Sequence, residues 1–370
     1  MKNTRNLLGA VAVVLTAFVV NVKGADVQWI GNAGDRLWSS AGNWNGGLVP
    51  TAADNALFSL ADNSGSQGPG GYANHLVDQD FSALSLRWTN VAGFHHTYIN
   101  PGVKLTLGAS LSAAGNALMV GTTPDAGANN SVYATISGAG ELVVTNPAYA
   151  TVYASVKSGS SGTHRGTLDL SGLDTFTAYI QRIAIAADGV GAPNNYPCGT
   201  LLLAKTNYIE CNNATNSLWV GEATTNPGQT CYVRLGQTNV FFGNGGIVVG
   251  GRKSTAVIDF NTGLVNPVAV FRNKAGTGPM NYWGIGDAVT QTGNTTVNHA
   301  GTADFTAGTV DAMVGTLYVA RGIRAASAAT TTGTLLFNSG KIAATTIEIG
   351  YQDTAGTNRA IGTVSMGPLV

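Results

Sequence analysis

The sequence predicts an all-β fold: a right-handed parallel β-helix, or β-solenoid, with coils of about 33 residues behind an N-terminal capping segment. Three observations carry that expectation. Short apolar strands close on a small residue at nearly constant spacing, a second, Gly-led strand follows each of them, and Gly, Thr, Asn and Ser fill the intervening segments. Gly alone supplies 50 of the 370 residues. Gly and β-branched residues recurring every few positions also disfavour long helices.

The first strand type occurs at Leu118 to Gly121, Val152 to Ser155, Ile183 to Ala186, Leu218 to Gly221, Ile247 to Gly250, Trp283 to Gly286, Leu317 to Ala320 and Ile347 to Gly350. Its closing residues lie 34, 31, 35, 29, 36, 34 and 30 positions apart. The second type is clearest at Gly166-Thr167-Leu168, Gly199-Thr200-Leu201, Gly333-Thr334-Leu335 and Gly362-Thr363-Val364. Looser copies run over Tyr133 to Ser137, Tyr232 to Leu235, Ala256 to Phe260 and Ala303 to Thr306.

Alternation of apolar and small polar residues between Gly, Asn and Asp reads as short strands joined by turns. Tandem units of this kind pair each strand with the coils before and after it, about 4.8 Å away. Leu, Ile, Val and Phe are then expected inside and Thr, Asn and Ser outside. Eight copies at that rise give a rod of roughly 40 Å. Parallel crossovers are almost always right-handed, hence the expected hand. Ankyrin and tetratricopeptide arrays share the period but are helical, a β-sandwich makes the spacing a coincidence, and propeller blades usually need about 40 residues or more.

At the N-terminus Lys2 and Arg5 precede an apolar run from Leu7 to Val20, with small residues at Val22 and Gly24. That layout is a secretory signal, with cleavage expected after Gly24. The run is shorter than the roughly 20 residues of a membrane helix, and no later segment approaches that length; a retained anchor is the lesser alternative. The expected organisation is a signal peptide at 1–24, a Trp-rich cap at 25–75 and a repeat region at 76–370. The mature chain is expected to be extracellular or on the cell surface. With 19 acidic and 19 basic residues, it lacks the footprint of a nucleic-acid or anionic-lipid binder.

The segment 29–58 has its own texture: Trp29-Ile30-Gly31, Gly34-Asp35, Trp38, Asn43-Trp44, Val49-Pro50, Asp54 and Phe58. Large aromatics suit covering the open end of a solenoid. With Leu84-Ser85-Leu86, Tyr98-Ile99 and Leu105-Thr106-Leu107, this pattern resembles the autotransporter-associated β-strand repeat proteins (passenger-associated transport repeat proteins) of Verrucomicrobia and Planctomycetes. The later coils match only as a style of repeat, and Cys231 to Leu235 departs from the Gly-Thr-Leu rule. The resemblance implies a passenger or surface β-helix and assigns no activity.

Reactive chemistry is sparse. Asp169, Asp259 and Asp304 fall at one position of the second strand, but Leu202 or Leu203 and Arg234 interrupt any acidic ladder, so no catalytic residues are assigned. His95 and His96 are neighbours on a strand and should face opposite ways, and His75, His164 and His299 are isolated; no metal site or cofactor is expected. The Gly-rich run from Gly243 to Gly251 lacks the helix that a phosphate loop requires. Cys198 and Cys231 are 33 residues apart, close enough in the repeat for a disulfide, although a one-residue shift of register leaves them unpaired.

Trp219, Trp283 and Tyr318 recur at similar positions of the first strand and, with Tyr232, form a candidate carbohydrate-binding stripe or an ordinary stack of strand aromatics. The expected function is a non-enzymatic, secreted or cell-surface structural or adhesin-like solenoid, or the passenger part of a larger exported protein. The alternative is a β-helix that binds or degrades extracellular polysaccharide. Val370 follows a second strand directly, with no closing cap, so the C-terminal end is expected to be continued by further sequence or covered by a partner.

Overall fold

The computed structural model describes residues 24–59, 75–89, 94–126, 131–158, 164–187, 197–223, 229–287, 298–322, 330–352 and 359–367. The expected export signal lies outside the described residues, Gly24 excepted. The chain is a β-solenoid in which every pairing between strands is parallel.

Three faces make up each coil. The first face is a stack in which Ala56, Leu86, Leu118, Val152, Ile183, Leu218, Ile247, Trp283, Leu317 and Ile347 stand one above the next. From Leu118 onward these partners reproduce the spacing expected from the closing residues. Upstream, Asp26–Gln28 and Asn55–Phe58, both within the Trp-rich segment, are the first two rungs of the same face.

The second face carries the Gly-led strands, with Ala134, Leu168, Leu201, Val233, Ile258, Ala303, Leu335 and Val364 in one inward row. A third face, for which no separate strand is expected from the repeat pattern, holds Phe81–Ala83, Lys104–Leu107, Leu173–Ile180, Thr206–Cys211, Thr238–Gly243 and Val268–Arg272. It hides in the sequence because Ser131–Thr145 is one continuous strand that serves both the second and third faces. Likewise Thr309–Gly322 runs from the third face into the first.

Inside, the inward rows merge into one continuous apolar core from Val27 to Leu335. At the corner between second and third faces, two inward polar residues break the apolar rule without being left unpaired. Asn207 donates to Ala204 O at 2.7 Å and to Asn239 Oδ1 at 3.0 Å, and Asn239 donates to Gly236 O and Val268 O. The amide ladder supplies the hydrogen bonds that buried polar groups require.

The Trp-rich segment packs on the first coils. Trp29, Trp38 and Trp44 meet edge to face at 5.0 and 5.3 Å around Phe58. Trp44 Nε1 donates to Trp38 O at 2.8 Å, and Trp38 Nε1 donates to His75 Nδ1 at 3.0 Å. Asn43 and Asp35 knit the intervening turn: Asn43 Nδ2 donates to Asp35 Oδ1, and the Leu37 amide donates to the same carboxylate. Backbone bonds from Trp38 N to Leu76 O and from Leu76 N to Arg36 O occupy the edge of the first second-face strand, His75–Val77. An edge paired in this way offers no free ladder groups to another chain. At the opposite end, the inward-row residues Ile347 and Ile349 are about half exposed, and Met366 of Arg359–Met366 is 69% exposed.

One expectation about the exterior needs correction. The outward row of the first face is Met119, Tyr153, Ala184, Trp219 and Val248, which is apolar and buried, forming a second cluster outside the solenoid with Ala187 and Tyr282.

Candidate functional site

The outward surface of the second face is where the sequence-predicted acids converge. One row runs Thr135, Asp169, Leu202, Arg234, Asp259, Asp304, Leu336, so the register inferred from the repeat places these side chains on successive coils. Two residues earlier a parallel row runs Tyr133, Thr167, Thr200, Tyr232, Val257 and Thr302. Period-2 alternation puts both rows on one surface.

Each acid on this surface is engaged. Asp169 accepts from Tyr133 Oη at 3.0 Å and from Ser171 N and Oγ. Asp304 accepts from Thr306 N at 2.9 Å and Oγ1 at 2.6 Å. Asp259 is ion-paired with Arg234. Burial nonetheless lifts the Asp259 carboxyl to about 6; Arg234 opposes the shift and neighbouring Asp304 adds to it. Tyr232 is held between guanidiniums, with Arg234 4.7 Å and Arg165 5.3 Å from its ring centre. Arg165 also donates to Thr200 Oγ1 at 2.7 Å, so charge and aromatic surface on this face neutralise each other locally.

The other aromatic candidates are dispersed. Trp219 and Tyr318 share one outward row of the first face, three coils apart with Val248 and Gly284 between them. Trp219 is only 7% exposed, and the Arg321 guanidinium lies 3.8 Å from the Tyr318 ring centre. Trp283 does not belong to a surface stripe: it is fully buried in the inward row between Ile247 and Leu317, packed on Phe271 and Phe305. A one-residue offset along a strand moves a side chain to the opposite face, and Trp283 is offset by one from the Trp219 row.

Two buried ion pairs bind neighbouring coils beside the first face. Glu222 meets Arg252 at 3.0 Å, and Asp287 takes a two-pronged contact from Arg321 at 2.8 and 2.7 Å. Neither acid is reached by solvent to any extent. His95 is buried inside the first coils, whereas neighbouring His96 points outward and meets Ser137 Oγ at 2.7 Å, the opposite facing expected of adjacent strand residues.

Cys198, Cys211 and Cys231 are buried thiols. The Cys231 thiol donates to Gln229 O at 3.3 Å and the Cys198 thiol lies 3.9 Å from Gln229 Oε1, and the interaction of the two neighbouring thiols raises the Cys198 pKa and lowers that of Cys231. Cys211 is pushed up by burial alone in the main.

A surface that the sequence reading missed lies on the third face. Tyr179, Tyr208 and Phe242 come from three successive coils, with ring centres 5.7 Å apart at each step. Tyr179 is 39% exposed and the other two are half-buried. The signal was present in Tyr179, Tyr208 and Phe242 at spacings of 29 and 34, but it reads as a repeat only once the third strand is recognised. Among the described residues, no helix is long and apolar enough to cross a membrane. Compared with known proteins, the chain matches no family model, no curated protein and no solved structure.

Proposed function

We propose that this chain is an exported, cell-surface structural rod of the autotransporter-associated β-strand repeat type, without enzymatic activity. The observation that carries the reading is the uninterrupted first-face ladder, parallel and in sequence order from Asp26 to Gln352. Such a stack projects its ends apart while each coil touches only its neighbours, as a spacer must. The lead residues Trp29, Asp35, Trp38, Asn43, Trp44 and Phe58 support the family assignment, since each has a distinct job in closing the first coils. The contacts of the second-face acids with Arg234, Tyr133 and Thr306 favour a structural surface over a reactive one, although Asp259 Oδ1 is buried without a hydrogen-bond partner among the described residues.

The test is the fate of the chain in its own cells. The mature product should begin at Ala25 and be removed from intact cells by added protease; an unprocessed cytoplasmic product overturns the reading. In an oxidising compartment Cys198 and Cys231 are expected to join, which for a loop of this length contributes about 3–4 kcal/mol. Peptide mapping without reductant should recover them linked, and free Cys198 would refute the bond. A second reading, attachment to extracellular polysaccharide, is favoured by the exposed Tyr179 and half-buried Tyr208 rings of the third face.

A further inference from the structure

We infer that the Tyr179–Tyr208–Phe242 strip is a binding platform for a neutral polysaccharide chain. The rings sit one per coil in a zigzag: Tyr179 and Phe242 share a row with Glu210 between them, and Tyr208 stands in the row two residues earlier. Phe242 meets Tyr208 edge to face at 82° and is packed against Gly276, so Tyr179 and Tyr208 supply the open ring surface and Phe242 props Tyr208 from the next coil. All three are held by parallel strands of one sheet, so the platform is rigid before anything binds, and little ordering entropy is lost on association.

The chemistry of the strip matches a sugar chain better than a protein. Electron-rich ring faces attract the weakly positive C–H faces of pyranose rings, as they attract other positive edges. Around the rings lie hydroxyl and amide groups suited to sugar hydroxyls. Neither the Tyr179 nor the Tyr208 hydroxyl has a hydrogen-bond partner among the described residues. Charge next to the strip is already paired, since Lys274 Nζ lies 3.4 Å from Glu210 and donates to Asn212 Oδ1 at 3.0 Å. An acidic glycan would find no unpaired cation there, which selects a neutral one. A strip three rings long is also far smaller than the roughly 800 Å² per partner of a stable protein interface.

This platform differs from the aromatic stripe expected from sequence. Trp283 is in the core, Trp219 is covered, and Arg groups stand over Tyr232 and Tyr318, whereas Tyr179 and Tyr208 keep their hydroxyls and part of their ring surface open. The inference goes beyond the rod reading and stands apart from it. Failure of surface location leaves the platform untouched, and failure to bind glycan leaves the rod untouched.

The experiment is native affinity electrophoresis of the full mature chain in gels containing hydroxyethylcellulose, xylan or polygalacturonate. We expect retardation by at least one of the two neutral polymers, undiminished by added salt. A Tyr179→Ala/Tyr208→Ala double variant should bind at least tenfold more weakly. Tyr133→Ala removes a Tyr of similar exposure on the second face and should bind like the parent. Thermal melting checks that each variant is folded, and if the double variant is not, Tyr179→Glu provides the same readout at the exposed end of the strip. No retardation by either neutral polymer overturns the inference. So does binding confined to polygalacturonate and lost in salt, or undiminished binding by a folded strip variant.

Discussion

At Gly301 the two small-residue signatures of the repeat meet. A Cβ there would lie 2.1 Å from both Gly286 N and Val249 O, and Gly286 itself has a φ of +64°, in the left-handed region. The closing residue of the first strand and the leading Gly of the second are therefore two sides of one close backbone approach, where the chain leaves the first face. Because the neighbours are backbone atoms that cannot rotate away, Gly301→Ala should destabilise the fold by about 3 kcal/mol, read as a lower urea midpoint. His299, next along the same chain turn, accepts a hydrogen bond from Lys253 N at 3.2 Å, and burial depresses its pKa from 6.5 to about 4. The folded chain thus binds fewer protons than the unfolded one between these values. Its stability is full above about pH 6.5 and declines as the pH falls toward 4, by about 2 kcal/mol at pH 5. Urea titrations at pH 7 and pH 5 should show that loss, and His299→Gln should shrink it. His75, depressed by burial and by His95 and His96, adds a loss of the same sign.

Among elements, the corners and ion pairs decide how coils are joined. Asp287 is fully buried, and Arg321 of the next coil reaches it with two donors while lying over Tyr318. Removing one partner of such a pair leaves a buried charge without its counterion, a loss of about 3–5 kcal/mol, whereas replacing both with apolar groups is far milder. Arg321→Met should therefore lower the denaturation midpoint sharply, and an Asp287→Leu/Arg321→Met double variant should recover most of it. The first and second strands were legible in the sequence because each is bounded by a residue with a steric requirement. The third was not, since Ser131–Thr145 passes from the second face to the third without a break and Leu170 to Leu173 makes only a short turn. That is why the Tyr179–Tyr208–Phe242 strip went unread while Trp219, Trp283 and Tyr318 drew the attention due to spacing alone.

Over the whole molecule, stability should be graded along the solenoid axis. Middle coils have neighbours on both sides, and the first coils are closed by the Trp29, Trp38 and Trp44 cluster. Arg359–Met366 and the adjoining part of Gly340–Gln352 pair on one side among the described residues and expose inward-row side chains such as Ile347. Hydrogen exchange followed by mass spectrometry should find amides of these two strands exchanging orders of magnitude faster than those of Gly246–Val249 and Thr255–Phe260. Uniform protection from end to end would contradict a stack stabilised by nearest neighbours.

What the sequence by itself determined was the coil: its length, the register of the first and second faces, the small residues at the closing corner and the alignment of Asp169, Arg234, Asp259 and Asp304. Each of these is set by sterics and alternation within one repeat, so each recurs where a reader can see it. The tertiary structure alone decided that a third face exists and that Trp219, in an outward row, is covered, whereas the inward turn of Trp283 follows from its alignment with Leu218 and Ile247. The third face leaves no separate punctuation because Ser131–Thr145 and Thr309–Gly322 run through its corners, and the burial of an outward side chain is not set by alternation within one repeat.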